Sequence, residues 1–249
     1  MPDAFMNRPV PQPTAAPPAA GLADAALPVG AFVVPGDRTV LIDAGVGPRQ
    51  PPTLVGGALL GELARLGFRP TDIDMVAVTH RHLDHIGWLG TDDGDPVFEN
   101  ATVCIGRADF EYIVSVDESA VPEPFRVPPG VRAALARSAD TGRLLLVDDP
   151  VEVASGVVAI PAPGHTLGHV VVAVGDRDER LMLLGDSMYC PEQLTDADLT
   201  AVHDVDPVLA RRTRETILRE MDRHGTSALG CHFPGLRANR VLGGSPVAT

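Results

Sequence analysis

The chain has 249 residues and a formal net charge of −13, from 20 Lys+Arg against 33 Asp+Glu. All 20 basic residues are arginine, because the sequence contains no lysine. This composition excludes a Schiff-base lysine and a phosphate-loop lysine, since both need an ammonium group. The acidic balance also argues against nucleic acid or an anionic membrane as a main partner, because both require a basic contact surface.

The composition predicts a globular protein with a sizeable, mainly aliphatic core, since 45% of the residues are hydrophobic and 4% are aromatic. The cysteines, Cys104, Cys190 and Cys231, form neither a disulfide framework nor a CxxC pair, which is typical of a reducing compartment. No apolar run approaches the roughly 20 residues that span a bilayer, and the first residues lack the build of a signal peptide. We expect a soluble, cytoplasmic protein.

The chain is predicted to divide into a tail, residues 1–28, and a folded domain, residues 29–249. Prolines interleaved with alanines leave the tail little to pack, so we expect it to be disordered; a segment that covers an active site or partner surface is the alternative. The domain begins with a predicted hairpin, strands 31–34 and 39–43 around a Pro-Gly-Asp turn. An apolar stripe then predicts a helix over 55–66, and a buried strand follows at 75–79.

Further elements follow in chain order: a strand at 102–105, helices at 107–114 and 131–139, and strands at 144–147, 151–153, 157–160, 169–174 and 180–184. A last helix is predicted from Asp206 as N-cap to about residue 223, with its leucine, isoleucine and methionine side chains inward and its five arginines outward. A closing strand, 227–230, ends just before Cys231. Strands mixed with helices favour stacked sheets covered by helices.

Three of the eight histidines lie in the HRHLDH segment, residues 80–85, at the end of a predicted strand. His80 and His82, two positions apart in extended backbone, can point to one side and share a metal ion. Asp84 and His85, further round the turn, can face a second ion.

Three later candidate ligands also follow predicted strands, in glycine- or proline-marked turns: His165, Asp186 and His232. Five histidines and two aspartates suit two Zn²⁺ ions, with Fe, Mn or Co as alternatives. His169 is expected to support the site rather than bind metal, and His203 and His224 to be core histidines.

These residues resemble the signature of the metallo-β-lactamase fold hydrolases, over nearly all of residues 30–240. The resemblance implies an α/β fold, an αββα sandwich of two mixed β-sheets flanked by helices, with the metals at one sheet edge. It divides the ligands into two sets bridged by Asp186: His80, His82 and His165 on the first ion, and Asp84, His85 and His232 on the second.

Two divalent ions roughly 3.5–4 Å apart can share one water and lower its pKa from about 15.7 to near 7. The hydroxide is a nucleophile that needs no serine or cysteine, and Asp84 or Asp186 can pass a proton to the leaving group. The reaction class is therefore metal-assisted hydrolysis.

The ligand positions separate branches of the family. Zinc β-lactamases similar to this fold carry a cysteine at the position of Asp186, and flavodiiron proteins a glutamate at that of His82, so neither activity is expected. The acidic charge disfavours the RNA-processing members. Tyr189, three residues after Asp186, resembles the tyrosine of the GDxxY segment in N-acyl homoserine lactonases, where it reaches the substrate carbonyl; packing under the metal loop is the alternative.

Residues 84–88, 97–101 and 190–194 also resemble a lactonase and organophosphate-hydrolase-like branch. The usual HFPxPGxGR end is altered here after Pro234, which weakens any transfer of substrate from relatives. Two aromatic residues beside ligand segments, Trp88 and Phe233, are predicted to line an apolar substrate pocket. For the others, Phe110, Tyr112 and Phe125, core packing is favoured.

We therefore predict a dinuclear zinc hydrolase that opens a lactone or a related carboxylic ester, with Asp84, Asp186 and Tyr189 as catalytic residues. A thioesterase or phosphotriesterase using the same centre is the alternative enzyme. A non-catalytic binding module that inherited the fold is the alternative from another class, and such a module need not hold two metal ions. The expected partner is a small molecule with an ester-like bond, and a homodimer is allowed.

Overall fold

The computed structural model describes residues 27–51, 54–176, 180–201, 203–242 and 245–248. Two β-sheets stack face to face, and helices cover their outer faces. This arrangement confirms the predicted αββα sandwich. Apart from residues 27 and 28, the predicted tail lies outside the described residues, and the division of the chain at residue 28 stays a prediction.

Each sheet mixes parallel and antiparallel pairs. In the part of the chain that the structure describes, the first sheet has five strands, which follow one another in space in chain order: β1 (Phe32–Val34), β2 (Val40–Ile42), β3 (Met75–Ala77), β4 (Thr102–Gly106) and β5 (Leu144–Val147). Strands β1 and β2 form the predicted antiparallel hairpin, and the remaining pairs are parallel.

Within the described residues the second sheet has seven strands, in the spatial order β12-β11-β10-β9-β8-β7-β6. Their bounds are β6 (Val151–Ala154), β7 (Val157–Pro161), β8 (Val170–Gly175), β9 (Arg180–Leu183), β10 (Ser227–Leu229), β11 (Asn239–Leu242) and β12 (Ser245–Ala248). Strands β9 and β10 are parallel and the other pairs antiparallel. The terminal β11–β12 hairpin was not predicted from the sequence.

The helices are α1 (Leu59–Arg65), α2 (Leu83–Ile86), α3 (Arg107–Ser115), α4 (Pro129–Asp140) and α5 (Pro207–His224). Helices α1 to α4 contribute to the core on the outer face of the first sheet, and α5 packs against the second sheet. Within the described residues, none of these helices is long and apolar enough to cross a membrane.

Side chains along the central strands point alternately to the two faces of the sheet and so contribute to two separate cores. Met75 and Ala77 of β3 pack between the sheets, whereas Val76 and Val78 pack under the helices. This is the period of two that a strand imposes on its side chains. A strand apolar on both faces is therefore buried on both, as β3 is.

The predicted helix over 55–66 is shorter in the structure and begins at Leu59. Gly57 adopts a φ of +98°, in the left-handed region, which interrupts a helix at that point. Val55 is consequently 84% exposed, and Leu63 alone of the predicted stripe is buried in the core.

The last helix confirms its predicted start, since the Asp206 side chain accepts a hydrogen bond from the Leu209 N–H. The prediction that all its arginines point outward is wrong for Arg214, which is fully buried. Arg214 forms an ion pair with Asp204, which the helical pattern alone does not reveal.

Candidate metal centre

The candidate ligands converge at one edge of the sandwich. His80 follows β3, His165 lies between β7 and β8, and Asp186 and His232 follow β9 and β10. The backbone N–H of Val170, at the start of β8, donates to the Thr79 carbonyl at 2.7 Å, which ties the two sheets together beside the site. Segments far apart in sequence therefore share one edge.

The first group of donor atoms belongs to His80, His82, His165 and Asp186, which lie within 4.8 Å of one another. His82 Nδ1 is 2.9 Å from His80 Nε2 and 3.0 Å from His165 Nε2. Asp186 Oδ2 lies 3.7 Å from His80 Nε2 and 3.6 Å from His165 Nε2.

The second group is formed by Asp84, His85 and His232. Asp84 Oδ2 is 3.6 Å from His85 Nε2 and 3.5 Å from His232 Nε2. The other oxygen of Asp186, Oδ1, lies 3.3 Å from His85 Nε2 and 3.2 Å from His232 Nε2. Asp186 therefore stands between the two groups, with one oxygen towards each.

The Nδ1 atoms of His85 and His232, which point away from the second group, indicate what kind of ligand the groups can bind. His232 Nδ1 lies 2.7 Å from the Pro28 carbonyl and His85 Nδ1 lies 2.8 Å from the Asp43 carboxylate, and both acceptors require an N–H donor. In a neutral imidazole the proton at Nδ1 leaves a lone pair at Nε2, which here faces the cluster. Within the described residues, His85 Nε2 and Asp186 Oδ1 make no hydrogen bond. Converging lone pairs and a carboxylate are a donor set for divalent cations.

The electrostatics favour neutral rings around an ionised carboxylate in the first group. Burial and the neighbouring imidazoles lower the pKa of His80 and His82 well below the usual histidine value. Burial acts to raise the pKa of Asp186, but His85, His232 and His80 hold that pKa well below its usual range. For His85, burial opposes protonation, while the carboxylates of Asp186, Asp84 and Asp43 raise its pKa.

Asp43 supports the second group from behind. Its carboxylate accepts from the Thr79 N–H at 2.7 Å and the Thr79 hydroxyl at 2.9 Å, besides its contact with His85. Cys231 Sγ lies 3.3 Å from the same carboxylate. Asp43, His85 and Cys231 lie close enough to be a third candidate group, but His85 faces Asp43 with Nδ1 and keeps Nε2 for the second group. Cys231 is thus a buried small residue, as predicted.

Asp109 of α3 was missed by sequence reasoning. Its buried carboxylate accepts from the Arg81 N–H at 3.0 Å, the Thr166 hydroxyl at 2.7 Å and the Gly168 N–H at 3.0 Å. It therefore joins the loop of residues 80–85 to the loop that carries His165. A lone aspartate in an amphipathic helix gives no signal of this role.

His169 and Tyr189 lie beside the two groups. His169 Nε2 accepts the Asp186 N–H at 3.1 Å, in keeping with its predicted supporting position. The Tyr189 ring stacks on His232, with centroids 4.9 Å apart, and lies 5.7 Å from the His165 ring. Burial, and then the Asp186 carboxylate, raise the pKa of Tyr189 well above its usual value.

The aromatic and spare histidine predictions need correction. Phe233 is fully buried in the intersheet core, so it lines no open pocket. Trp88 is partly buried against the helix-side core, and its place in a substrate pocket stays a prediction. Phe125 instead lies 5.8 Å from the His82 ring and 5.3 Å from the His203 ring. His203 and His224 are exposed rather than core residues, because one lies on a loop and the other ends α5.

The fold is that of the metallo-β-lactamase superfamily, and sequence comparison agrees with it. Residues 26–91 match the family model described as "Metallo-beta-lactamase superfamily". "Metallo-beta-lactamase domain-containing protein 1" of Mus musculus is 30% identical over 197 residues, 75% of this chain and 61% of that protein. The "N-acyl homoserine lactonase" of Bacillus cereus is 26% identical over 161 residues, 64% of this chain and 56% of that protein. The chain thus spans about three fifths of these curated relatives.

Solved structures show the same fold. AidC, described as a dizinc quorum-quenching lactonase, gives a TM-score of 0.72 at 24% identity, covering 88% of this chain and 78% of that one. A probable metal-dependent hydrolase from Staphylococcus aureus gives a TM-score of 0.75 at 19% identity, covering 90% and 82%. The chain belongs to the metallo-β-lactamase superfamily, and its relatives include N-acyl homoserine lactonases.

Proposed function

We propose that this protein is a dinuclear metal-dependent hydrolase that opens a lactone or cleaves a related carboxylic ester. The observation that carries the proposal is the position of Asp186, whose two oxygens face two separate groups of histidine and aspartate donors. A single bridging carboxylate between two such groups is suited to a pair of ions. Zn²⁺ is the ion that the nitrogen-rich donor set favours.

In this proposal the first ion is held by His80, His82 and His165, and the second by Asp84, His85 and His232. Two such ions would supply a nucleophile from water near neutral pH and a Lewis acid for a carbonyl oxygen. The chain itself holds the donors in place through Asp43, Asp109 and the Pro28 carbonyl, which lie outside the two groups.

Asp84 is the proposed proton carrier. Burial acts to raise its pKa, but His85 and His232 bring the net shift below the usual value, so the carboxylate is ionised and can accept a proton. Its side chain is 14% exposed, against 2% for Asp186. Asp84 can therefore take a proton from the attacking water and deliver it to the departing alkoxide oxygen of a substrate that enters from solvent.

Tyr189 is the proposed oxyanion donor. Because its pKa is raised, its phenol keeps its proton at neutral pH and can donate it in a hydrogen bond. The Tyr189 ring stacks on His232 and makes an edge-to-face contact with His165, so it lies beside both groups of donors. A donor at this place would stabilise the charge that develops on an ester or lactone carbonyl oxygen. The lactonases among the relatives support this substrate class.

The test is metal analysis of the purified protein combined with a panel of lactone, thioester and phosphotriester substrates. We expect two zinc ions per chain and the highest kcat/KM on a lactone. Tyr189→Phe should lower kcat on that lactone about 10²-fold, the cost of one oxyanion donor. A preference for thioesters or phosphotriesters would replace the ester assignment but keep the centre.

The ligand assignment is tested with a matched pair of histidine variants. His82→Ala should lose metal and activity, whereas His224→Ala, at the exposed end of α5, should keep both. Two ions and full turnover in His82→Ala would refute the proposed centre. A wild-type protein that holds no divalent metal would favour the binding-module alternative.

A further inference from the structure

A buried ion pair lies directly behind the candidate ligand His165. Arg214 Nη1 is 3.1 Å from Asp204 Oδ2, and neither side chain is exposed to solvent. The other oxygen of Asp204, Oδ1, is 3.2 Å from His165 Nδ1. An ionised carboxylate only accepts hydrogen bonds, so His165 carries its proton at Nδ1 and presents the Nε2 lone pair to the first donor group.

Further bonds hold the pair against the turn that carries His165. Arg214 Nε donates to the Ala197 carbonyl at 3.1 Å, so the arginine ties α5 to the loop before it. That loop in turn bonds to the turn, because the Val205 N–H donates to the His165 carbonyl at 3.0 Å. The loop, the helix and the His165 turn therefore form one connected unit.

The contact between α5 and this turn is close enough to demand glycine. A Cβ at Gly164 would lie 2.3 Å from the Ala210 Cα, and Gly164 has a φ of +141°. The Thr213 hydroxyl donates to the Pro163 carbonyl at 2.6 Å on the same side. Helix α5 is thus placed to determine where the His165 ring lies.

Stability alone does not explain the ion pair. A buried pair gains little over well-packed apolar residues of similar volume, because both charges lose their hydration. The other arginines of α5 avoid that cost, since all four are exposed: Arg211, Arg212, Arg219 and Arg223. A carboxylate that accepts the outer N–H of a metal-bound histidine, by contrast, fixes the ring and makes it a stronger ligand.

We propose that Asp204 and Arg214 are positioning residues for the first metal site. Asp204 fixes the tautomer and direction of His165, and Arg214 holds the Asp204 carboxylate in place. The inference rests on the proposed function, since it requires an ion bound by His80, His82 and His165. It assigns a function to a loop and a helix that contribute no ligand themselves.

The test uses two matched double variants. Asp204→Asn with Arg214→Gln replaces the buried ion pair by a neutral hydrogen-bonded pair, which avoids leaving an unpaired buried charge. Asp198→Asn with Arg211→Gln removes an exposed ion pair that joins the same loop to the same helix without touching His165. Zinc stoichiometry and affinity are measured by competition with a chromophoric chelator, and folding by circular dichroism.

We expect the Asp204/Arg214 variant to bind one of its two zinc ions 10–100-fold more weakly, the usual effect of removing such a partner. The Asp198/Arg211 variant should keep both affinities within about threefold. Equal affinities in the two variants would overturn the inference. Fewer than two zinc ions in the wild type would instead overturn the proposed function, and this inference with it.

Proton NMR of zinc-loaded, ¹⁵N-histidine-labelled wild-type protein gives a readout that does not depend on a variant folding. His165 should show an Nδ1–H resonance that is protected from solvent exchange. A His165 proton found at Nε2, or absent from both nitrogens, would contradict the inference.

Discussion

Replacement of Asp109 by alanine provides a strong test of how the ligand loops are held. The Asp109 carboxylate accepts from two backbone N–H groups, those of Arg81 and Gly168, and from the Thr166 hydroxyl. These donors belong to the two loops that carry His82 and His165. The variant removes the shared acceptor while leaving every candidate ligand intact.

The magnitude follows from the groups left without a partner. Each buried donor that loses its acceptor costs about 1–3 kcal/mol. Asp109→Ala leaves the Arg81 and Gly168 amides without their acceptor, and these two backbone groups dominate the cost. We expect Asp109→Ala to lower the free energy of unfolding by about 3–5 kcal/mol, a large share of the 5–15 kcal/mol typical of a domain. Asp109→Asn, which keeps one acceptor oxygen, should lose about 1–3 kcal/mol.

The assay is urea unfolding of the metal-stripped protein, followed by the fluorescence of Trp88, the single tryptophan. Removal of metal separates the loop contact from any effect on ligand binding. The control is Asp148→Ala, which removes an exposed ion pair with Arg107 at the start of α3 and should cost less than about 1 kcal/mol. A loss below about 1 kcal/mol for Asp109→Ala would refute the proposed loop link.

Three other changes test the packing around the site. Gly106→Ala should lower the free energy of unfolding by about 1–3 kcal/mol, because the new Cβ would lie 1.8 Å from the Gly168 carbonyl oxygen. Gly61→Ala, where a Cβ meets no atom within 4 Å, should raise it by about 0.5–1 kcal/mol. Equal urea midpoints for the two variants would contradict this. Phe233→Ala should lower the unfolding free energy by about 3–5 kcal/mol, and a change in KM alone would return Phe233 to the substrate pocket. Burial raises the pKa of Cys190 to about 11, so alkylation of this thiol should be slow at pH 8 and become faster as the pH rises towards that value. Mass spectrometry measures the rate. Equal rates in native and urea-unfolded protein would show that the thiol is not protected.

The sequence allowed much of the fold to be predicted because central strands such as β2 and β3 are buried on both faces. Continuous apolar runs, such as the one that forms β3, leave few alternatives to a central strand. The N-cap and first-turn proline of α5 likewise act locally, so its start was predicted correctly. The prediction of a helix over 55–66 was wrong at its start, because Gly57, with a φ of +98°, interrupts an otherwise periodic apolar stripe. Apolar spacing alone overestimated that helix.

The candidate site was predictable where its signal is local. The HRHLDH segment and the strand-end positions of His165 and Asp186 are visible in one dimension, and the structure brings these side chains together. Their assignment as ligands stays a prediction. The residues that support these ligands could not be predicted from the sequence. Asp109 bonds to residues 28 and 57 positions away in the chain, and the helical pattern placed Arg214 among the exposed arginines.

The hidden groups share a chemistry that bears on the net charge of −13. Asp43, Asp109 and Asp204 are buried carboxylates that each accept an N–H from a ligand histidine or from the loop that carries it. Part of the acidic excess therefore lies inside the protein and offers nothing to a partner at the surface. The three carboxylates also differ in what they should control. Asp109 accepts from backbone and hydroxyl donors and lies 3.9 Å from Arg81 Nε, so its loss should destabilise the metal-free fold. Asp204 faces a ligand ring, so its replacement within a neutral pair should weaken metal binding more than folding.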